Sequence, residues 1–309
     1  MQKISFIIPI YNEAENISEL YQRLKKTFAA DFNDFEYEVI FIDDGSSDDS
    51  FKLLSDLRQQ DHWIKVIQLS RNFGHHIALT AGLDHTTGDY VVMMDGDLQD
   101  QPEEIIKLYN KLQEGYEVVY GERVEKRFGF FKRLSSNGFN WLIRKLIQEP
   151  IVINSTIFRI MTRQVVEQIR LLRERDRYIV GIIGWVGFRQ AAQPVDHGRR
   201  FAGQSKYNWS RLFALAFNAI FSFSSYPLKI ITKLGLGVVA VAFALGVSIM
   251  YRKLVYDIPV MGWSSLIVAV LIMGGTQIII LGVIGEYIGR AYMEEKRRPL
   301  YIVKKYLND

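Results

Sequence analysis

Two long stretches without a single charge dominate the C-terminal third of this 309-residue chain. Leu234 to Tyr251 spans 18 residues and Ile258 to Gly285 spans 28, against the roughly 20 apolar residues that cross a bilayer core. As a helix the second run would reach about 42 Å at 1.5 Å per residue, so it must tilt or project beyond the hydrocarbon. A buried core helix is the alternative reading of either run alone; two runs joined by a short loop favour a transmembrane hairpin. Arg252, Lys253 and Asp257 lie in that loop, whereas Lys229 and Lys233 precede the first run and Arg290, Lys296, Arg297, Arg298, Lys304 and Lys305 follow the second. Basic residues collect on the cytoplasmic side of spans, which places both termini in the cytoplasm of a multi-pass inner or plasma membrane protein. Upstream, Leu212, Phe213, Leu215, Ala216, Ala219 and Ile220 recur at helical spacing with Arg211 as the one charge from Trp209 to Phe223. That pattern fits an interfacial helix lying in the membrane plane. The expected organisation is a cytoplasmic domain over 1–208, a juxtamembrane amphipathic segment over 209–228, two spans within 229–289 and a basic cytoplasmic tail over 290–309.

The N-terminal two thirds follow a different rule. Short β-branched runs alternate with longer amphipathic stretches over residues 1 to about 120, the pattern of strands joined by crossover helices, and this predicts a parallel, Rossmann-like α/β sheet. Predicted strands are Ile4 to Ile10, Tyr37 to Asp43, Ile64 to Leu69, Tyr90 to Asp95 and Val118 to Tyr120. A helix is expected to open after Gln101-Pro102-Glu103-Glu104, where proline suits the first turn and acids suit the positive helix end. The start, MQKISFIIPIYNEAEN, is too short in its apolar run and too acidic for a secretory leader. With no cysteine, disulfides, zinc–thiolate sites and Cys nucleophiles are excluded. The net charge of +4 is unevenly placed: residues 121–150 carry seven basic residues against three acidic ones, and a second basic stretch runs from Arg199 to Lys206. Such stretches are solvated faces in many proteins; beside a membrane they could face anions, and arginine suits phosphate.

In sheets of this kind ligands sit beyond the carboxyl ends of the strands, and three polar clusters fall there: Tyr11-Asn12-Glu13, Asp43-Asp44-Gly45-Ser46 and Asp95-Gly96-Asp97. Two carboxylates separated by one small residue at a strand end can share a cleft. Such hard oxygen ligands suit Mg²⁺ or Mn²⁺ with a diphosphate completing the shell. About one Asp-x-Asp triplet is expected by chance in a chain of this size, and a solvated turn is the plain alternative; the position at a strand end favours the site. Asp44 can bind ribose or base, or the loop can cap the next helix through Ser47 or Asp48. Glu13 faces the same choice between a nucleotide and a helix cap. His75-His76 invite a metal reading, but neighbouring helical positions diverge by about 100° and no other His or Cys stands nearby in sequence, so structure or a donor contact fits better.

Taken together, Phe6-Ile7-Ile8-Pro9-Ile10-Tyr11-Asn12-Glu13, Ile42-Asp43-Asp44-Gly45-Ser46 and Met94-Asp95-Gly96-Asp97-Leu98-Gln99 resemble glycosyltransferase family 2, with its GT-A fold. Arg-Asn-Phe-Gly at 71–74, Ala202-Gly203-Gln204-Ser205-Lys206-Tyr207 and the two C-terminal runs are similar to its polyprenyl-phosphate glycosyltransferases, bactoprenol glucosyltransferases above all, which are related to dolichyl-phosphate mannose synthases. The resemblance implies a UDP-sugar donor, a polyprenyl (undecaprenyl) phosphate acceptor and a divalent cation, with nucleic acid not an expected partner and a homo-oligomer held through the spans left open. Position by position it implies that Pro9, Tyr11, Glu13 and Asp44 hold the uridine and that Asp95 contacts the donor. Asp97 and Gln99 would ligate the metal with Asp95 beside them. Arg123, Arg133, Ser136, Arg200 and Lys206 would receive the lipid phosphate and donor diphosphate, Arg123 and Arg200 in the catalytic set. One departure stands out: where relatives commonly carry Asp-x-Gly-Asp-Phe-Arg, this chain reads Asn154-Ser155-Thr156-Ile157-Phe158-Arg159. A processive polysaccharide synthase would need more spans and a Gln-x-x-Arg-Trp motif, and the chain has neither. A catalytically silent membrane scaffold and a lipid flippase are the remaining alternatives.

Overall fold

Strand β1 (Lys3–Ile10) is apolar on both faces because it lies in the middle of a sheet covered on both sides. Phe6, Ile8 and Ile10 join one buried cluster and Ile7 the other. The computed structural model of the chain describes residues 1–123, 156–175, 177–196, 198, 226–256 and 262–308. After β1 come α1 (Ala14–Asp31), β2 (Glu36–Asp43), α2 (Ser50–Gln60), β3 (Ile64–Leu69), α3 (His75–His85) and β4 (Tyr90–Met93). A 3₁₀ turn at Pro102–Glu104 then leads into α4 (Ile105–Leu112) and β5 (Val118–Arg123). β6 (Arg159–Thr162), α5 (Arg163–Leu171), α6 (Ile179–Trp185) and β7 (Gln190–Val195) complete the N-terminal part.

The sheet has eight strands in the order β7-β5-β6-β4-β1-β2-β3-β8. β1 pairs in parallel with β2 and β4, and β2 with β3, so the chain steps outward from β1 to β3 and then returns to the other side of β1. Between β1 and β4 the connection reverses, and this is where such sheets open a ligand crevice. One layer of helices, α1, α2 and α4, covers the face built around Phe6 and Phe41; α3, α5 and α6 cover the face built around Ile7, Ile40 and Ile42. Within the first layer Phe28 packs on Phe6 and Tyr37 at ring-centroid distances of 4.8 and 4.3 Å.

All five predicted strands form, with corrections. The sheet is mixed rather than parallel, because β6 runs antiparallel between β4 and β5 and β8 runs antiparallel to β3. β4 ends at Met93, leaving Asp95 in the turn beyond it, while β5 continues to Arg123. The helix expected after Gln101-Pro102-Glu103-Glu104 is α4, which opens at Ile105 directly behind the 3₁₀ turn.

Both apolar runs fall on long helices, α7 (Tyr226–Tyr256) and α8 (Trp263–Glu295), with residues 258–261 of the second run outside the described residues. Within them Ile231–Ile249 and Ile272–Glu295 are long and apolar enough to cross a membrane. Leu236, Phe243, Leu245, Leu266, Ile272, Ile278 and Leu281 are all exposed along them. The segment expected to lie in the membrane plane falls outside the described residues. After α8 the chain returns to the N-terminal domain: Val303–Leu307 forms β8, and Pro299–Asp309 belongs to the same compact unit as the sheet. The residues read from sequence as a basic tail thus include the edge strand of the sheet, with Lys304 and Lys305 on it, the kind of charge that guards an open edge against further pairing.

Candidate active site

Three predicted clusters meet at one edge of the sheet because β2, β1 and β4 are neighbours with a common direction. Pro9 is buried within β1, and Tyr11, just past its end, is exposed. Asn12 takes a left-handed φ of 54° and bridges to the β2 loop: its N–H donates to Ser46 Oγ at 3.0 Å, and its Oδ1 accepts from the Ser47 N–H at 2.8 Å. Glu13 sits at the N-cap of α1 without a side-chain cap; its Oε2 accepts from Asn16 Nδ2 at 2.5 Å. Asp48 takes the capping work, accepting from the N–H groups of Ser50 and Ala14 at 3.0 and 3.2 Å.

Asp44 is 3% exposed and receives two backbone donors, the Phe73 N–H at 2.7 Å and the Gly74 N–H at 2.9 Å. Burial raises its pKa, and those two N–H groups oppose the rise. Gly45 follows at φ +70°, where a Cβ would stand 2.5 Å from the Arg71 carbonyl carbon. Glycine is therefore required twice over, by backbone conformation and by the close approach of the 71–74 loop.

Beyond β4 the turn alternates. Asp95, Asp97 and Gln99 keep solvent access, whereas Met94, Gly96, Leu98 and Asp100 are buried. A Cβ on Gly96 would lie 2.5 Å from Ile10 Cδ1, so the turn packs directly on the end of β1. Leu98, 2% exposed, holds a φ of 62°. Asp100 accepts the Asp95 N–H at 3.3 Å and Asp97 Oδ1 accepts the Gln99 N–H at 3.1 Å, closing the turn from within. Among the described residues no three His, Asp or Glu side chains form a metal cage. The donor set still fits a divalent cation, because Mg²⁺-type sites commonly use one or two carboxylates and leave the remaining positions to water and substrate phosphates.

Three further neighbours stand at this edge: His75 and His76, for which the sequence favours structure or a donor contact over a metal, and Arg159, to which it assigns no role. His75 opens α3 with Nε2 3.3 Å from Asp95 Oδ1. Burial lowers its pKa, while Asp44 and Asp97 pull it upward. His76 stands edge-on to Tyr178 at 5.3 Å; burial, then the nearby His75 and Arg159, push it down to about 4. Arg159 is 1% exposed, opposite Met93 and Tyr120 in the ladder, and donates to the carbonyls of Thr156 at 2.5 Å and Ile157 at 3.4 Å. Burial lowers it to about 10. Ile157, part of the departure seen in the sequence, packs against the apolar core of the α3 face.

Of the residues assigned to phosphate, Arg133, Ser136, Arg200 and Lys206 lie outside the described residues, as does Asn154. Arg123 ends β5 opposite Val195. The chain leaving β7 crosses the Asp-Gly-Asp turn: the Gly198 N–H donates to the Gln99 carbonyl at 2.9 Å and the Asp196 N–H to Glu104 Oε2 at 3.1 Å.

The chain is similar to known proteins. The model for the family described as "Glycosyl transferase family 2" matches residues 5–170. The uncharacterised glycosyltransferase YkcC of Bacillus subtilis is 41% identical over 97% of this chain and 93% of its own length. The SfII prophage-derived bactoprenol glucosyl transferase of Shigella flexneri is 40% identical, covering 98% of both chains. Among solved structures, the mannosyltransferase PcManGT from Pyrobaculum calidifontis aligns with a TM-score of 0.51 and 18% identity over 94% of this chain and 84% of that one, a likeness of fold. With its GT-A-like sheet and its polar edge beyond β1, β2 and β4, the chain belongs to glycosyl transferase family 2.

Proposed function

We propose that the protein transfers a sugar, glucose first among the candidates, from a UDP-sugar to a polyprenyl phosphate such as undecaprenyl phosphate at the cytoplasmic face of the cell membrane. The observation that carries the reading is the Asp95-Gly96-Asp97 turn, which faces solvent at the β1/β4 reversal of a chain with two membrane-length helices. Full-length similarity to a protein named bactoprenol glucosyl transferase supports the acceptor.

In this reading a lipid phosphate oxygen attacks the anomeric carbon in line, the bond from that carbon to the diphosphate breaks, UDP leaves and the configuration inverts. A phosphate monoester with a second pKa near 6 is largely ionised at neutral pH, so the nucleophile needs little help in losing a proton. An apolar Ile157 is then compatible with turnover. Pro9, Tyr11, Glu13 and Asp44 would frame the uridine, and Asp95, Asp97 and Gln99 would hold Mg²⁺ or Mn²⁺. When bound, that cation would neutralise the departing diphosphate. Arg123, Arg133, Ser136, Arg200 and Lys206 would receive the phosphates. Holding both reactants in register is the main service of such a site.

Membrane placement follows from the acceptor, whose isoprenoid tail stays in the bilayer. Both ends of the helical hairpin connect to strands of one sheet, which favours an even number of crossings. The basic flanks at Lys229, Lys233, Arg290, Lys296, Arg297 and Arg298 favour the cytoplasmic side. The test is a panel of UDP-sugars assayed with purified protein and undecaprenyl phosphate. Labelled lipid product from UDP-glucose is expected in wild type and its loss in Asp97→Ala; wild-type protein yielding no lipid product from any donor would overturn the reading.

A further inference from the structure

The contact between His75 and Asp95 is prepared from the opposite side of the crevice. Asp44, at the end of β2, accepts the N–H groups of Phe73 and Gly74, the two residues immediately before His75. Gly74 turns the chain into α3 at a φ of +98°, and Gly45 presses against Arg71. One buried carboxylate therefore fixes the backbone that presents the imidazole, and the ring arrives 3.3 Å from an acid that belongs to a different strand end. Both side chains keep solvent access, His75 at 42% and Asp95 at 35%. The pair is thus part of the open crevice.

Asp95 shares its turn with Asp97 and Asp100, so acidic side chains crowd this end of the crevice. The 3.3 Å separation is a contact of proximity, and a small turn of the ring would let its N–H hold one carboxylate oxygen in place. Partners of this kind orient the groups that bind a metal or phosphate, and the contact tightens when the ligand arrives.

We propose that His75 is the positioning residue of the donor end of the site, orienting the Asp95 carboxylate toward the diphosphate of the nucleotide-sugar and its cation. The proposal rests on the reading of Asp95 as a donor contact given above. Its reach is restricted to the donor: the lipid acceptor is handled by other residues, so the two substrates respond differently to its loss.

The experiment uses the full chain in detergent with His75→Ala and His75→Gln, the glutamine amide nitrogen being able to stand where Nε2 stands. UDP with Mn²⁺ is titrated calorimetrically, and KM is measured separately for UDP-sugar and for undecaprenyl phosphate. In His75→Ala, UDP–Mn²⁺ binding is expected to weaken about tenfold or more, with donor KM rising in like measure. The lipid KM should stay within about twofold. His75→Gln should recover most of the loss. Unchanged UDP–Mn²⁺ binding in His75→Ala, an equal loss in both variants with thermal unfolding unaltered, or a rise in lipid KM alone overturns the proposal. Should wild type bind UDP–Mn²⁺ yet transfer no sugar to lipid, the functional reading fails while the calorimetric comparison still decides the role of His75. Wild-type protein that does not bind UDP–Mn²⁺ overturns both.

Discussion

Tyr301, just beyond the second long helix, donates its hydroxyl to Asp84 Oδ2 at 2.8 Å and so fastens the C-terminal segment to the far end of the helix that begins at His75. Asp84 also receives Arg173 at 2.8 Å, and burial followed by the adjacent Asp84 charge raises the Tyr301 pKa. Tyr301→Phe should lower stability by about 1.5–3 kcal/mol, the range for a hydrogen bond to a charged group. Thermal unfolding of the solubilised full chain measures it; an unchanged midpoint would show that the segment is held by β8 pairing alone.

Gly45→Ala should be far more damaging than its single methyl group suggests. The residue must keep φ +70° with a Cβ 2.5 Å from the Arg71 backbone. Strain and overpacking together predict a loss of about 2–4 kcal/mol. Because the 71–74 loop would shift, UDP-sugar KM should rise in any fraction that remains folded. Circular dichroism melts beside donor titrations separate the two effects.

Acid stability has two components with distinct windows. Burial alone would raise Glu38, but Lys65, Ser5 and the Thr87 N–H and hydroxyl, at 2.5–2.9 Å, outweigh it and hold the carboxyl at about 2. Its folded pKa lies below the ordinary 4.5, so its contribution is full above 4.5 and is lost as pH falls toward 2. His76, kept neutral by burial with a pKa of about 4, favours the folded state above pH 6.5 and ceases to do so as pH falls from 6.5 to 4. Denaturation midpoints followed against pH should therefore decline in two steps, and Glu38→Gln should flatten only the lower one while weakening the protein at neutral pH.

Chelation and carboxylate replacement should act on the same step. Treatment with EDTA, Asp95→Asn and Asp97→Asn are each expected to reduce sugar transfer by about 100-fold or more, the scale on which removal of a group stabilising the leaving charge is felt. Readdition of Mn²⁺ should restore wild type but not Asp97→Asn. Unfolding midpoints without ligand should barely move, since both side chains keep solvent access.

The strands β1 to β5 were legible because each is a run of β-branched or aromatic residues ending in polar turn residues. Asp44, Asp95 and Asp97 were legible as strand-end acids for the same reason. β6 and β8 were not: Arg-Ile-Met-Thr and Val-Lys-Lys-Tyr-Leu are too short and too charged for alternation to register, and both pairings close over large sequence separations. The burial of Arg159 within a strand ran against its composition. His75 was visible as a residue but its partner was not, since only the β4–β1–β2 neighbourhood brings position 75 to position 95. The sequence offers Asp44 as a ligand contact or its loop as a helix cap, and the two backbone bonds it accepts within the fold have no signature in the spacing.

The edge position of Val303–Leu307 bears on how the molecule is made. Translation reaches that strand after both long helices, so the sheet stays one strand short until they have been made. A chain cut short within either helix would leave the β3 border unpaired. Completion of the sheet thus waits on both long helices.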